Sequence, residues 1–470
     1  LIDKFFTRNK HYCIQRILGS WMLLNLLSLS AAPVILLAAP STIATAETTD
    51  TSSTGESATE NNKTKSDRIP SVEQLGLNVK SAVLLEPSTG QVLLSINADV
   101  ALPPASMTKM MSEYIVAEQV KQGKLSWDDT VTVRENAANT IGSRVFLAEG
   151  DQHTVRELYT AMAVGSANDA TVALAEHVAG SEQAFVKMMN ETAKKMGLKT
   201  AFFINSSGLS LADMPEKFRP AEDKETVMSA MDAAILAKFL IEDHPDFSEF
   251  TALQNYKFRD RDDQPIINNN WMLATNKNIP NFLTYAYDGL DGLKTGYTEA
   301  AKYCFTGTAE RNGMRLISVV MGTASEHARF KETRKVMDYG FNHFEVRELH
   351  PEGAIVEGFE HVQVKKGKVK ETKLVTDRAL TLVVPKGFTG DNLQVKAKLD
   401  TDTLTAPVTK DMKVGSVTYS YKFEGMSSIQ SDTLNLVTSE VTKKAGWFKQ
   451  FLGAIGDFFA NLFNSIKNLF

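Results

Sequence analysis

Ser106 and Lys109 stand three residues apart in the run Pro103-Pro104-Ala105-Ser106-Met107-Thr108-Lys109. A serine hydroxyl is a weak nucleophile at neutral pH and needs a base within hydrogen-bond reach. Lysine serves as that base once burial, neighbouring cations or the positive end of a helix depress its pKa. The prolines mark a helix entry, and a helix beginning near Ser106 puts both side chains on one face. Its first backbone N–H groups could also stabilise a tetrahedral oxyanion. The chemistry on offer is acyl transfer through a serine ester. Ser-x-x-Lys arises by chance in many chains, but it occurs only once here.

Two further short motifs follow in order. Ser166-Ala167-Asn168 comes 60 residues after Ser106, behind a helical run and Gly165, and Lys294-Thr295-Gly296 comes 188 residues after it. Neither means anything alone. Ser95-Ile96-Asn97 also fits Ser-x-Asn, though it precedes the nucleophile in a predicted strand, and glycine is a common turn residue. Order and spacing carry the inference.

The positioning elements can be read around these motifs. A hairpin is predicted at 80–85 and 91–96 across Pro87-Ser88-Thr89-Gly90, then a mostly helical region over about 106–240. Thr154-Val155-Arg156-Glu157 is a capping box. Strands return at 303–308 and 316–321, joined by Arg311-Asn312-Gly313. Two strands before and two after a helical block predict one α+β domain over 71–345, its antiparallel sheet closed by both ends of the segment. From 346 to 440, short alternating segments such as Val362-Gln363-Val364 and Val417-Thr418-Tyr419 predict a small all-β domain. It holds no cluster of reactive groups, which suits a spacer or positioning role.

The ends of the chain point to the membrane. Lys4, Arg8, Lys10 and Arg16 precede an uncharged apolar stretch, 17–39, and Ala44-Thr45-Ala46 offers a small-x-small cleavage pattern. We read 1–46 as an export signal, with an uncleaved anchor as the competing reading. Residues 47–70, rich in Ser, Thr, Glu and Asn, are expected to be a disordered linker. In 443–470, Phe448, Phe451, Ile455, Phe458, Phe459, Leu462 and Phe463 recur at helical steps. Polar residues interrupt them too often for a spanning helix. We therefore expect an amphipathic helix in the membrane interface, rather than one packed on the protein's own core. The exported protein would sit at the outer face of the cytoplasmic membrane.

Composition removes other classes. The net charge is −5 and the leader is basic, so the body is acidic and lacks the footprint of a nucleic-acid binder. Of two cysteines, Cys13 lies in the leader and Cys304 in an apolar run, where it reads as a buried structural thiol. No C-x-x-C or His-Glu-x-x-His pattern suggests a metal, and no cofactor is expected.

The three motifs together make the chain resemble the serine acyl-transferases that include penicillin-binding proteins and class A β-lactamases. It is most similar to the low-molecular-mass D-alanyl-D-alanine carboxypeptidases. Phe203-Ile204-Asn205-Ser206-Ser207-Gly208-Leu209 and Asp288-Gly289-Leu290-Asp291-Gly292-Leu293 extend the likeness, as do the β-rich domain and the amphipathic tail. The resemblance implies that Ser106 attacks the carbonyl between two D-alanines of a peptidoglycan stem pentapeptide and is acylated by β-lactam antibiotics. Lys109 would take its proton and later help to activate water. Ser166 would relay a proton to the departing D-alanine, and Asn168 would hold the peptide carbonyl and orient Lys109. Lys294 and Thr295, assisted by Arg329, would bind the terminal carboxylate on an edge strand. Gly296 would leave room for the substrate backbone, and the N–H groups of Ser106 and Tyr297 would form the oxyanion hole.

The chain departs from that pattern in places. Ala301-Lys302-Tyr303 stands where the family often has Ala-Gly-Tyr, and Tyr297 where histidine or serine is also common. Three rivals remain. A class A β-lactamase would carry a Glu-x-x-Leu-Asn segment, which this chain lacks. A DD-endopeptidase would cut cross-links with the same groups. A non-enzymatic wall-binding protein would have no use for a lysine kept beside a serine.

Overall fold

In the computed structural model of this chain, residues 69–422 and 429–448 are described, with positions 451, 455, 458 and 459. The leader at 1–46 and nearly all of the 47–70 linker lie outside them.

The hairpin forms as read, from β1 (Ser81–Glu86) and β2 (Gln91–Ile96). A 3-10 turn at Ala105–Thr108 then leads into α1 (Lys109–Lys121). After it come α2 (Val155–Gly165), α3 (Asn168–Ala179), α4 (Glu182–Lys195) and α5 (Ala230–Asp243). The capping box is present. Thr154 Oγ1 accepts the Glu157 N–H at 3.2 Å and the Glu157 carboxylate accepts the Thr154 N–H at 2.8 Å.

Three strands, not two, follow the helical block: β3 (Leu290–Thr298), β4 (Lys302–Arg311) and β5 (Met314–Thr323). The sheet runs β2-β1-β5-β4-β3, antiparallel throughout. The unforeseen strand is β3, the edge that carries Lys294-Thr295-Gly296. Gly292 and Gly296 dilute its strand pattern, because glycine has no side chain to pack and gains little from pleating.

A sixth helix, α6 (Glu326–His343), closes the domain. Alternate residues of β1 feed two cores. Val83 and Leu85 pack with the α1–α5 layer, and Ala82 and Leu84 with Phe330, Val336 and Met337 of α6. Covered on both faces, β1 is buried along its whole length.

The chain passes from α6 directly into the all-β domain. Its strands are β6 (Phe344–His350), β7 (His361–Lys365), β8 (Glu371–Thr376), β9 (Leu380–Pro385), β10 (Gln394–Leu399), β11 (Thr403–Thr405), β12 (Lys413–Tyr421) and β13 (Gln430–Thr438). β6 pairs with β9, and the others form a sheet in the order β10-β12-β13-β8-β7-β11. Burial alternates along β7 and β12, as a half-covered sheet requires. Val417, Tyr419, Leu434 and Leu436 join the core behind α6, and Gln430 Nε2 donates to the Val92 carbonyl at 2.9 Å. The β domain is thus fixed to the hairpin side of the first sheet.

Of the expected C-terminal helix, Trp447, Phe448, Phe451, Ile455, Phe458 and Phe459 are described, and all are exposed. Residues 443–446 are not helical: the Lys443 carbonyl accepts the Lys368 N–H at 2.9 Å and the Ala445 N–H donates to the Lys366 carbonyl at 2.8 Å, so these residues pair with the β domain and the expected helix cannot start before 447. The other residues of that stretch lie outside the described ones. Among those described, no helix is long and apolar enough to cross a membrane.

Candidate active site

Ser106 does not open an α-helix; it sits in the 3-10 turn, and Lys109 is the first residue of α1. The pairing survives because residues three apart eclipse one another in 3-10 geometry. Lys109 Nζ lies 3.0 Å from Ser106 Oγ. The turn is clamped from two sides by backbone that no side chain could replace. A Cβ on Gly208, whose φ is +85°, would lie 2.0 Å from the Ala105 carbonyl oxygen, and one on Gly296 would lie 2.6 Å from that of Pro104. Gly296 therefore serves first to let β3 pack against the serine turn.

The second motif arrives through a break between helices. Gly165 ends α2, Ser166 takes a left-handed φ of +56°, and Asn168 begins α3. Asn168 Nδ2 donates to the Ile141 carbonyl at 2.7 Å, which turns Oδ1 towards Lys109 Nζ, also at 2.7 Å. A third contact comes from the Ser207 carbonyl, 2.7 Å from Nζ. That carbonyl is held by an Asx turn in which Asn205 Oδ1 accepts the Gly208 N–H at 2.7 Å.

The Asn168 and Ser207 oxygens can only accept, so they take two N–H bonds. An ammonium would donate its third hydrogen to Ser106 Oγ, whereas a neutral amine would leave its lone pair for the Ser106 hydroxyl. Electrostatics favour the amine. Lys109 is fully buried, and desolvation, followed by the positive charge of Lys294, holds its pKa well below the ordinary lysine value.

Ser106, Ser166, Asn168, Thr295, Tyr297 and Arg329 all line one cavity of about 430 Å³. Lys294 does not reach its wall. It is 3% exposed, with Nζ 3.2 Å from the Thr295 carbonyl, and burial pushes its pKa down to about 8. Arg329, in the first turn of α6, is also buried, and desolvation lowers its pKa to about 10. Its Nη2 donates to Glu326 Oε1 at 2.7 Å, Nη1 lies 3.5 Å from the Gly296 carbonyl, and Nε has no partner. Arg329 thus brings a buried positive charge to the cavity wall.

The departures resolve into geometry. Lys302 adopts a left-handed φ of +55°, the conformation glycine would take freely, and its ammonium pairs with Glu299. The Tyr297 ring is half exposed and packs at a tilt against Tyr303, centroids 4.5 Å apart, with its hydroxyl donating to Glu299 at 3.1 Å. Cys304 is fully buried, and desolvation raises its pKa to about 11, so it is no nucleophile.

Other participants carried little or no sequence signal. The Ser207 and Ile141 carbonyls belong to the backbone, and Glu326 lies outside every motif. Asp169 is buried and accepts the N–H groups of Val145 and Leu147 at 3.0–3.1 Å, holding the loop that brings Gly142 and Ser143 to the cavity. Glu113 is buried on α1. Only its spacing could have flagged it: a carboxylate four residues after Lys109 on a helix without a polar face.

Comparison with known proteins agrees with this geometry. Residues 68–325 match the family model described as D-alanyl-D-alanine carboxypeptidase, and residues 344–444 match that of the penicillin-binding protein 5 C-terminal domain. The chain is 35% identical over 384 residues to the D-alanyl-D-alanine carboxypeptidase DacF of Bacillus subtilis, covering 82% of this chain and 91% of that one. It is 33% identical over 394 residues to DacC of Escherichia coli, covering 82% and 89%. Penicillin binding protein 5 from Haemophilus influenzae superposes with a TM-score of 0.64 at 29% identity, over 78% of this chain and 98% of that one. The chain belongs to the D-alanyl-D-alanine carboxypeptidase family and is a serine peptidase.

Proposed function

We propose that this member of the family removes the terminal D-alanine from peptidoglycan stem pentapeptides through an ester on Ser106. The observation that carries the assignment is the buried Lys109 Nζ, held by two carbonyl acceptors 3.0 Å from Ser106 Oγ, with desolvation lowering its pKa. Lys109 takes the hydroxyl proton as Oγ bonds to the carbonyl carbon between the two D-alanines. The backbone N–H groups of Ser106 and Tyr297 hold the oxyanion. As the C–N bond breaks, Ser166 passes a proton to the amine of the departing D-alanine. Water, deprotonated by Lys109, then splits the ester.

Thr295 and Arg329 on the cavity wall receive the terminal carboxylate, and Lys294 adds its positive charge from behind. A β-lactam is a strained amide bearing a carboxylate, so it enters the same site and acylates Ser106. The name of the Haemophilus influenzae relative supports this reading. We propose export by residues 1–46 and attachment to the membrane surface by 443–470, whose described aromatic residues have no cover.

One experiment tests the function and the attachment together. The mature chain and a form ending at Gly446 are incubated with a defined pentapeptide, analysed by mass spectrometry and sedimented with anionic vesicles. Both forms should release one alanine, and only the longer should sediment. Ser106→Ala should lose both alanine release and labelling by penicillin. Labelling retained in that variant removes Ser106 as the nucleophile. Cleavage confined to cross-linked dimers would instead identify an endopeptidase.

A further inference from the structure

Another cavity, of about 480 Å³, adjoins that of Ser106, and Asn78, Lys80, Tyr297, Lys302, Tyr303 and Thr323 stand on its wall. Tyr297 and Tyr303 line both cavities, so their tilted rings form the common wall. The only charged residues lining this second space are the two lysines.

Both lysines are fixed at the backbone. Lys80 leads into β1, its N–H donating to the Met321 carbonyl at 2.9 Å and its carbonyl accepting Asn97 Nδ2 at 2.9 Å. Its stem lies across Gly322, where a Cβ would fall 2.6 Å from Lys80 Cγ and Cδ. Among the described residues, no hydrogen bond or ion pair engages its ammonium. Lys302 opens β4 at a φ of +55°, a conformation that costs a lysine strain and glycine none. Its partner Glu299 has a side chain 82% exposed and is not on the cavity wall.

Arg329 indicates which end of the substrate points here. Its guanidinium carbon lies 5.8 Å from the centre of the Tyr303 ring, and it shares the Ser106 cavity with Thr295. These two receive the terminal carboxylate, while the scissile carbonyl lies back at Ser106. The residue beside Tyr297 and Tyr303 is therefore the one released. We propose that the second cavity receives the side chain of that released residue and selects one bearing a carboxylate. This rests on the carboxypeptidase reading above.

A D-alanine methyl group has no charge for the lysines to meet, whereas a side-chain carboxylate can accept a charge-assisted hydrogen bond from each. A cleft walled by cations also concentrates anions. The bonds made and broken are unchanged. Ser106 Oγ bonds to the carbonyl carbon, the C–N bond breaks, and the amine of the released residue takes the proton passed by Ser166. Water then splits the ester.

The test compares three pentapeptides that differ only in the last residue: D-alanine, D-glutamate or D-glutamine. Timed mass spectrometry gives kcat/KM for each on the full chain, on Lys80→Met and on Lys302→Gly. Methionine keeps an apolar stem over Gly322, and glycine suits the backbone at 302, so neither change disturbs the fold. D-Glutamate should be released faster than D-glutamine. Each substitution should lower kcat/KM for the D-glutamate peptide about two- to fivefold, through KM, the range of an exposed ion pair. Values for the D-alanine peptide should not move. D-Glutamate released no faster than D-glutamine, variants matching the parent on the D-glutamate peptide, or an equal loss on the D-alanine peptide each overturns the proposal and leaves the carboxypeptidase reading intact. A parent chain that fails to release even D-alanine overturns that reading, and the proposal with it.

Discussion

Residues 81–343 bury the charged side chains of Glu86, Lys109, Glu113, Asp169, Glu176, Glu182, Asp232, Lys294, Arg329 and Glu332, whereas in 344–445 the described buried polar residues are Thr372, Thr376, Gln430, Thr438 and Thr442. The first region removes charges from water at a cost that only close partners can offset. The second buries neutral groups on an alternating sheet and meets that cost nowhere. Some of these charges hold backbone, as Glu86 does at Thr89 and Asp232 at Lys199 and Thr200, while Lys109 and Arg329 lie at the serine and on its cavity wall. The β domain therefore acts through packing and position. The catalytic domain acts through packing and field together.

The contrast can be broken in three places. Lys109→Met removes the base while keeping an apolar stem of similar length. Acylation should fall by about 10²–10⁴-fold in stopped-flow measurements with penicillin, the usual worth of a positioned base. A loss of less than tenfold would mean that field and geometry alone activate Ser106. In the β domain, Leu374 is fully buried with Val362 and Val414 in a core of their own. Leu374→Ala should cost about 2–5 kcal/mol of stability. Thermal unfolding should report that loss while the acylation rate at 25 °C stays unchanged; a slower rate would show that the β domain tunes the site. The smallest effect is expected at Glu326, which competes for Arg329 from a partly exposed position. Glu326→Gln should lower KM for the pentapeptide roughly two- to fivefold, the range of a surface ion pair, with kcat unchanged. A raised KM would show that Glu326 orients the guanidinium instead of occupying it.

How far each part could be read from sequence follows the same division. The β domain's alternation is a period-2 signal that each strand carries by itself, so Val362-Gln363-Val364 and Val417-Thr418-Tyr419 were legible as strands. The hairpin and the Thr154 cap were legible for the same local reason. β3 was not, since its motif glycines answer to the serine turn packed against them and not to the strand. A proline-led entry does not separate an α from a 3-10 start, so the 3-10 turn at Ser106 is not legible in the sequence.

The order and spacing of Ser106-x-x-Lys109, Ser166-x-Asn168 and Lys294-Thr295-Gly296 determine the class of reaction from the sequence by itself, because each motif is short enough to be complete within the chain. The tertiary structure alone decides how far the proton affinity of Lys109 falls. Proton affinity depends on water excluded and on charges brought near. Here those come from Asn168, Ser207 and Lys294, 59, 98 and 185 residues from Lys109 along the chain. No spacing along a chain specifies that distance in space.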